Sequence, residues 1–231
     1  MTMNPLLELR SLSFTWPGDS SPVLAIEEFQ IFGRERLFLH GPSGSGKSTL
    51  LALIGGLVRP DRGDIEFDGT NLTRLSGPRR DRFRADHLGV IFQQFNLLPW
   101  LDIRANVLLP CRFSKLREQR AGDLQKTAER LLNAMDLDPS LWSRRADALS
   151  VGQQQRVAAA RALIGKPELI LADEPTSALD TDRRQAFLDL LFEQADAAGS
   201  ALLFVSHDRE LAGRFDRAVD LDDINRAGGA A

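Results

Sequence analysis

Apolar and polar residues alternate across residues 6–14, the pattern of a strand with one face on a core. Residues 37–39 form a short apolar run leading straight into Gly41, which predicts a buried strand followed by a loop. A helical pattern over 48–57 stops at Gly55 and Gly56. Residues 64–67 predict a strand entering a turn at Asp68 and Gly69. A further buried strand over 88–92 ends at Gln93, and residues 96–148 turn helical and more polar, most clearly over 117–135. The last third predicts a helix over 153–164 closed by Gly165 and Pro167, then a strand over 169–172 ending at Asp173. After it come a helix over 182–198 closed by Gly199 and a strand over 201–205 ending at Ser206 and His207. The tail from residue 222 to 231 is expected to fray.

Strands alternating with helices predict an α/β fold built on a mostly parallel sheet. In open sheets of that kind ligands bind outside the carboxyl ends of the strands. Gly41, Asp173 and His207 all follow such ends and are candidates for one rim.

Composition narrows the function classes. With 231 residues, 43% hydrophobic and 26% charged, the chain has the balance of a globular protein that buries a core. A net charge of -3 argues against a dedicated nucleic-acid binder. The basic run Arg79, Arg80, Arg82 and Arg84, interrupted by Asp81, reads as a solvated helix face. No stretch approaches the ~20 apolar residues of a membrane span, and the first residues lack the order of a signal peptide. The single cysteine, Cys111, cannot form an internal disulfide and reads as a small buried apolar residue.

Gly41, Pro42, Ser43, Gly44, Ser45, Gly46, Lys47 and Ser48 match the phosphate-binding pattern G-x-x-x-x-G-K-[ST], with Thr49 continuing it into the helix. Glycines let backbone N–H groups turn inward onto phosphate oxygens, and the helix start adds its partial positive charge. In that pattern Lys47 reaches the β- and γ-phosphates and the Ser48 hydroxyl ligates Mg²⁺. Asp173 and Glu174 tip a buried strand: the first suits magnesium, the second suits polarising an attacking water.

Further motifs carry a family resemblance. Leu149, Ser150, Val151, Gly152, Gln153, Gln154, Gln155 and Arg156 look like the signature motif of ABC ATPases. Asp173, Glu174, Pro175, Thr176, Ser177, Ala178, Leu179 and Asp180 resemble that family's Walker B and D-loop read together. Gln93 stands where the family has its Q-loop glutamine, a further magnesium contact, and His207 where it has its switch histidine. Trp16 stands where an aromatic stacks on adenine. The resemblance covers roughly residues 6 to 221.

It implies a RecA-like phosphate-loop core with an N-terminal antiparallel β subdomain. Core and β subdomain would take residues 1–95 and 155–231, and an inserted helical subdomain carrying the signature would take 96–154. It also implies ATP and Mg²⁺ as cofactors and a homodimer sandwiching two ATP molecules. Each phosphate loop would be completed by the partner's Ser150, Gly152 and Gln153, with Asp180 also at the nucleotide. Glu174, His207 and Gln93 would carry catalysis. Val151 is the departure, because the family most often has glycine there; a β-branched residue holds φ negative and narrows the approach to phosphate.

The segment Phe92-Gln93-Gln94-Phe95 with Leu97-Leu98-Pro99 resembles the lipoprotein-release and macrolide-export group. That implies a peripheral ATPase on the cytoplasmic face of the inner membrane, driving a permease on a separate chain. Residues 95–101 are the expected docking patch for that permease. The chain stops 24 residues after His207, which leaves no expected room for a C-terminal regulatory domain. The alternative is a mechanotransmitter like the cell-division ATPase of the same group, acting without transport. Of the other histidines, His40 is expected to pack locally and His87 to lie on the surface.

Overall fold

The computed structural model describes residues 4–177 and 179–227. In chain order the elements are β1 (Leu7–Phe14), β2 (Leu24–Ile31), β3 (Arg36–His40), α1 (Lys47–Ile54), β4 (Arg62–Phe67), β5 (Thr70–Asn71) and α2 (Gly77–His87). There follow β6 (Leu88–Ile91), α3 (Ile103–Phe113), α4 (Lys115–Ala121), α5 (Leu124–Ala134), α6 (Val151–Leu163) and β7 (Leu169–Asp173). The last are α7 (Thr181–Ala198), β8 (Ala201–Val205), β9 (Arg217–Asp220) and α8 (Leu221–Ile224). One sheet has the order β2-β1-β4-β5 and pairs antiparallel; the other has the order β6-β7-β8-β3-β9, with parallel pairs β6–β7 and β3–β9. The α/β reading, with its antiparallel N-terminal sheet and helical insert, is what the chain adopts.

The chain divides into two compact units, residues 1–84 with 203–231 and residues 85–202. In the first unit, the alternation in β1 breaks once. Leu7 and Leu9 are buried, Arg10 and Ser11 are exposed, and Leu12 and Phe14 are buried again. Pairing with β4 slips by one residue between Arg10 and Ser13, where Ser11 takes a φ of 46°. This bulge returns the apolar side chains to the same face. Gly63 lies opposite it, and a Cβ there would fall 2.4 Å from the Ser11 carbonyl oxygen.

The basic run lies on α2 but is not merely solvated. Arg80 Nε donates to the Gly56 carbonyl at 2.8 Å and Arg84 Nη1 to that of Gly55 at 3.4 Å. Two of the four arginines thus serve the carboxyl end of α1, where cations are favoured.

The tail expected to fray from residue 222 is held as far as residue 227, while residues 228–231 lie outside the described residues. Leu221 is fully buried at the start of α8. Asn225 then accepts from the Ala25 N–H at 2.8 Å and donates to the Val23 carbonyl at 3.0 Å, while the Arg226 N–H donates to the Ala25 carbonyl at 2.7 Å. An asparagine that satisfies two backbone groups at a strand end ties this segment to β2.

In the second unit, the helical stretch predicted over 117–135 is two helices. Gly122 interrupts it, and Asp123 caps α5 by accepting the Lys126 N–H. Arg117 of α4 is buried among backbone carbonyls, donating to Leu88, Ala162 and Ile164. Burial pushes its guanidinium down to about 10, so it stays charged at neutral pH. It closes the end of α6, where Gly165 turns the chain at a φ of 72° and a Cβ would strike Arg117 at 2.5 Å. Cys111 is buried, as expected, and burial pushes its thiol up.

His87 is half-buried rather than on the surface: its Nδ1 lies 3.2 Å from Glu168 Oε2, while Arg120 Nη2 donates to Glu168 Oε1 at 2.6 Å. Burial pushes the Glu168 carboxyl up, but the hydrogen bonds and charges of His87 and Arg120 outweigh it and hold the group at about 2. A depressed carboxylate stabilises the fold above its unfolded value and loses that contribution as pH falls through the folded value. Thermal melts of the wild type are therefore expected to lose about 2 kcal/mol between pH 4.5 and pH 2 through this group, after discounting for its part exposure. Glu168→Gln should flatten that part of the profile, and an unchanged acid limb in the variant would contradict it.

Candidate nucleotide site

In the first unit, the chain leaves β3 and turns at Gly46 before entering α1. Gly46 holds a φ of 103°, and a Cβ there would meet Leu24 at 2.9 Å, so only glycine fits. Lys47 follows with 8% of its surface exposed. Its ammonium donates to the Gly41 and Pro42 carbonyls at 2.8 Å each, and no carboxylate pairs with it among the described residues. A buried cation held by neutral oxygens alone is a place where an anion gains most. The Ser45 hydroxyl is buried without a hydrogen-bond partner among the described residues. Ser43 and Gly44 are exposed on the loop, and Ser48 is exposed in the first turn of α1. The first turn of α1 also leaves its N–H groups without helical partners. A glycine-turned loop, an orphaned hydroxyl and an unpaired ammonium fit a nucleotide's phosphates.

Trp16 comes to the same helix. Its Nε1 donates to the buried Thr49 hydroxyl at 3.2 Å, and Phe14 packs edge-on against the indole with ring centres 4.9 Å apart. One edge of the ring is thus fixed while the residue stays partly exposed, which suits a stacking platform. It also gives Thr49 a role as anchor for the tryptophan. His207 is exposed just after β8. His40, as expected, makes local contacts: its ring lies near Phe38 and its Nδ1 is 3.3 Å from an Asp220 oxygen.

In the second unit, Ser150 caps α6. Its Oγ accepts the Gln153 N–H at 3.3 Å, and Gln153 Oε1 accepts the Ser150 N–H at 3.0 Å. The Gln153 side-chain oxygen is taken by this reciprocal cap, and its NH2 group stays available to donate. The Ser150 hydroxyl keeps its own hydrogen to donate. Val151 is the first helical residue, 50% exposed, and its φ is not positive. Glycine is therefore not demanded at 151 by the backbone. Gly152 leaves room as well: the nearest atom to a Cβ there is a Leu179 methyl at 4.0 Å.

Gln155, buried on the same helix, donates from Nε2 to the Pro175 carbonyl at 2.7 Å. The signature helix is thereby tied to the turn that follows Asp173 and Glu174. Glu174 itself has a φ of 48°, a left-handed conformation that costs a non-glycine residue about 1 kcal/mol or more. Such strain persists where the surroundings impose it, and it sits on the carboxylate singled out for catalysis. Asp180 is exposed and caps α7 by accepting the Arg183 N–H at 2.9 Å, a local role beside the one implied for it. Ala178 lies outside the described residues.

Gln93 is exposed in the turn after β6. The two residues beyond its neighbour, Phe95 and Asn96, are both left-handed, with φ of 57° and 49°. Their carbonyls are held by Arg161 of α6, which donates to Asn96 at 2.6 Å and Phe95 at 2.5 Å. Arg161 is 8% exposed, and burial pushes it down to about 10. Asn106, fully buried on α3, holds the next turn through the Leu98 N–H and the carbonyls of Leu98, Leu101 and Asp102. Of the expected docking patch, Phe95 is core, whereas Trp100 stands 64% exposed on this braced turn. Phe92, just ahead of Gln93, is exposed too.

The bracing by Arg161, Asn106 and Gln155 escapes pattern reading; their signal is only that of polar residues amid apolar helix faces. Arg161→Met removes both donors from the 95–96 turn and is expected to cost about 2 kcal/mol. Amide exchange should speed up over residues 93–97 and stay unchanged in β1 and β2. Unchanged exchange at the turn would show that Arg161 does not hold it.

A family model described as ABC transporter matches residues 26–177. A lipoprotein-releasing system ATP-binding protein of Rhodospirillum rubrum is 42% identical, covering 95% of this chain and 94% of its own. An uncharacterised ABC transporter ATP-binding protein of Mycobacterium tuberculosis is 36% identical over 96% of this chain and 88% of its own. Among solved structures, the dimeric ATP-binding cassette MJ0796 in a post-hydrolysis state bound to ADP and Pi superposes with a TM-score of 0.82. It is 33% identical, with 93% of each chain covered. The chain belongs to the ABC transporter family and is one of its ATP-binding, ATP-hydrolysing proteins.

Proposed function

We propose that two copies of this chain close head to tail on two ATP molecules and drive a separate membrane permease of the lipoprotein-release or export type. The observation that carries the permease class is the likeness to lipoprotein-releasing ATP-binding proteins, 38% to 42% identical over most of both chains. The dimeric cassette with ADP and Pi supports the two-copy arrangement. No helix among the described residues is long and apolar enough to cross a membrane. In this reading the permease is a separate chain, and this one sits peripheral on the cytoplasmic face of the inner membrane.

The mechanism follows from the side chains. Lys47 leaves the Gly41 and Pro42 carbonyls for the phosphates, which gives a buried cation its counter-charge. The phosphate-loop N–H groups hold the same oxygens, and Trp16 stacks on the base. Ser150, with its hydroxyl hydrogen uncommitted by the cap, and the N–H end of α6 present donors to the γ-phosphate of the partner's ATP. Glu174 accepts a proton from the attacking water, and His207 and Gln93 line the γ-phosphate. Ser48, Asp173 and Gln93 would hold Mg²⁺, which when bound neutralises charge on the phosphates. These hard oxygen donors fit magnesium, which keeps much of its water and needs few protein ligands.

Val151 lies on the face offered to the partner, exposed and in an ordinary helical conformation. Val151→Gly is expected to keep or raise the ATPase rate, because it removes the isopropyl group and relaxes no strained φ. A collapse of turnover would show that the valine is required.

Trp100 is the side chain we assign to the permease contact. Isolation of the chain from its native membranes should bring down an integral membrane protein, and Trp100→Asp should lose it while still binding ATP. Recovery of a division-ring protein in its place would select the mechanotransmission reading. Undiminished association of Trp100→Asp would remove the docking assignment.

A further inference from the structure

Away from the nucleotide motifs, the second unit contains a cavity of about 260 Å³ between α4, α5, the end of α6 and α7. Its polar lining consists of Arg120, Thr127, Arg130, Lys166 and Gln194, with no carboxylate among the lining residues. Of the three cations, only Arg120 is committed, to Glu168 and to the Lys166 carbonyl. Arg130 makes one long hydrogen bond, from Nη1 to Gln194 Oε1 at 3.3 Å. The Lys166 ammonium forms no ion pair or hydrogen bond among the described residues.

Exposed cations alone would be ordinary solvated surface. Gln194 changes the reading, because it is only 7% exposed and its Nε2 has no partner among the described residues. That amide lines the cavity, and its donor is open to an acceptor bound there. The end of α6 would normally repel an anion through its free carbonyls. Here those of Ala162 and Ile164 are taken by Arg117, and that of Leu163 by the Lys166 N–H. The negative end of the helix is quenched, and the donors dominate.

We propose that this cavity is a binding site for a small phosphate-bearing anion, held by Arg130, Lys166 and the Gln194 amide. The surplus of donors excludes cations and disfavours neutral ligands. The volume lies below the ~300 Å³ at which drug-sized ligands are accommodated, so one or two phosphate groups on a small body fill it. That chemistry is offered both by soluble phosphate compounds and by anionic lipid headgroups.

The test uses the full chain saturated with ADP in magnesium-free buffer, which keeps the phosphate loop occupied. Pyrophosphate is titrated by calorimetry, and in parallel the protein is sedimented with vesicles of phosphatidylglycerol or of phosphatidylcholine. Pyrophosphate binding at one per chain, weakened at least about tenfold by the Arg130→Gln, Lys166→Gln pair and by Gln194→Glu, is the expected result for a soluble ligand. Sedimentation with phosphatidylglycerol alone, lost in the same variants, assigns the site to a lipid headgroup. ADP affinity should not change in either variant. Absence of binding in both arms, or binding that these substitutions leave intact, overturns the proposal.

Discussion

Lys47→Ala should bind ATP at least about a hundredfold more weakly than the parent chain, a loss of about 2.7 kcal/mol or more. The structure gives the sign and a control. The ammonium is buried and, among the described residues, held only by the Gly41 and Pro42 carbonyls. A cation in that state has forfeited water without gaining a counter-charge, and a phosphate restores it. The same reasoning says that the nucleotide-free variant is not destabilised, since the truncation removes an unpaired buried charge and leaves two carbonyls that water can reach. Equilibrium binding of a fluorescent ATP analogue and a thermal melt without nucleotide test both halves. Full affinity in the variant would remove the phosphate loop from the account, and a melt lowered by many degrees would mean that the loss reflects unfolding.

Glu174→Gln should reduce ATP turnover by about 10²–10⁴-fold, the range for loss of a positioned general base, with ATP binding retained. The substitution is nearly isosteric and keeps the left-handed backbone at 174, which the turn through Pro175 and its bond from Gln155 impose. Binding and closure should then proceed while the chemical step stalls, and a dimer should accumulate with ATP on size exclusion. Near-normal turnover in the variant would take the base role from Glu174.

Much of this site is legible in the sequence because its parts are local. A phosphate loop is one contiguous turn whose glycine at 46 answers to a φ of 103° and a close approach to Leu24. The strand ends at Gly41, Asp173 and His207 follow from apolar runs that stop abruptly. The cap formed by Ser150 and Gln153 also lies within four residues.

What was not legible depends on contacts between residues distant in the chain. Arg161 reaches back 65 residues to Asn96, Gln155 spans 20 to Pro175, and Asn225 spans 200 to Ala25. No periodicity announces these, because each is a polar group satisfying backbone far away in sequence. The anchoring of residues 225–226 and the half-burial of His87 escape the pattern for the same reason. The backbone accommodates the valine at 151, since the helix begins there with φ negative.

The central claim is that the catalytic site is shared between two copies, and complementation tests it most directly. Lys47→Ala disables the loop of its own chain, and Ser150→Arg disables the signature it lends to its partner. Each variant alone should be inactive. In a mixed dimer one site carries both defects and the other carries neither, so an equal mixture should regain up to about a quarter of the parental ATPase activity. Activity that stays at the level of the separate variants at every mixing ratio would contradict the shared site.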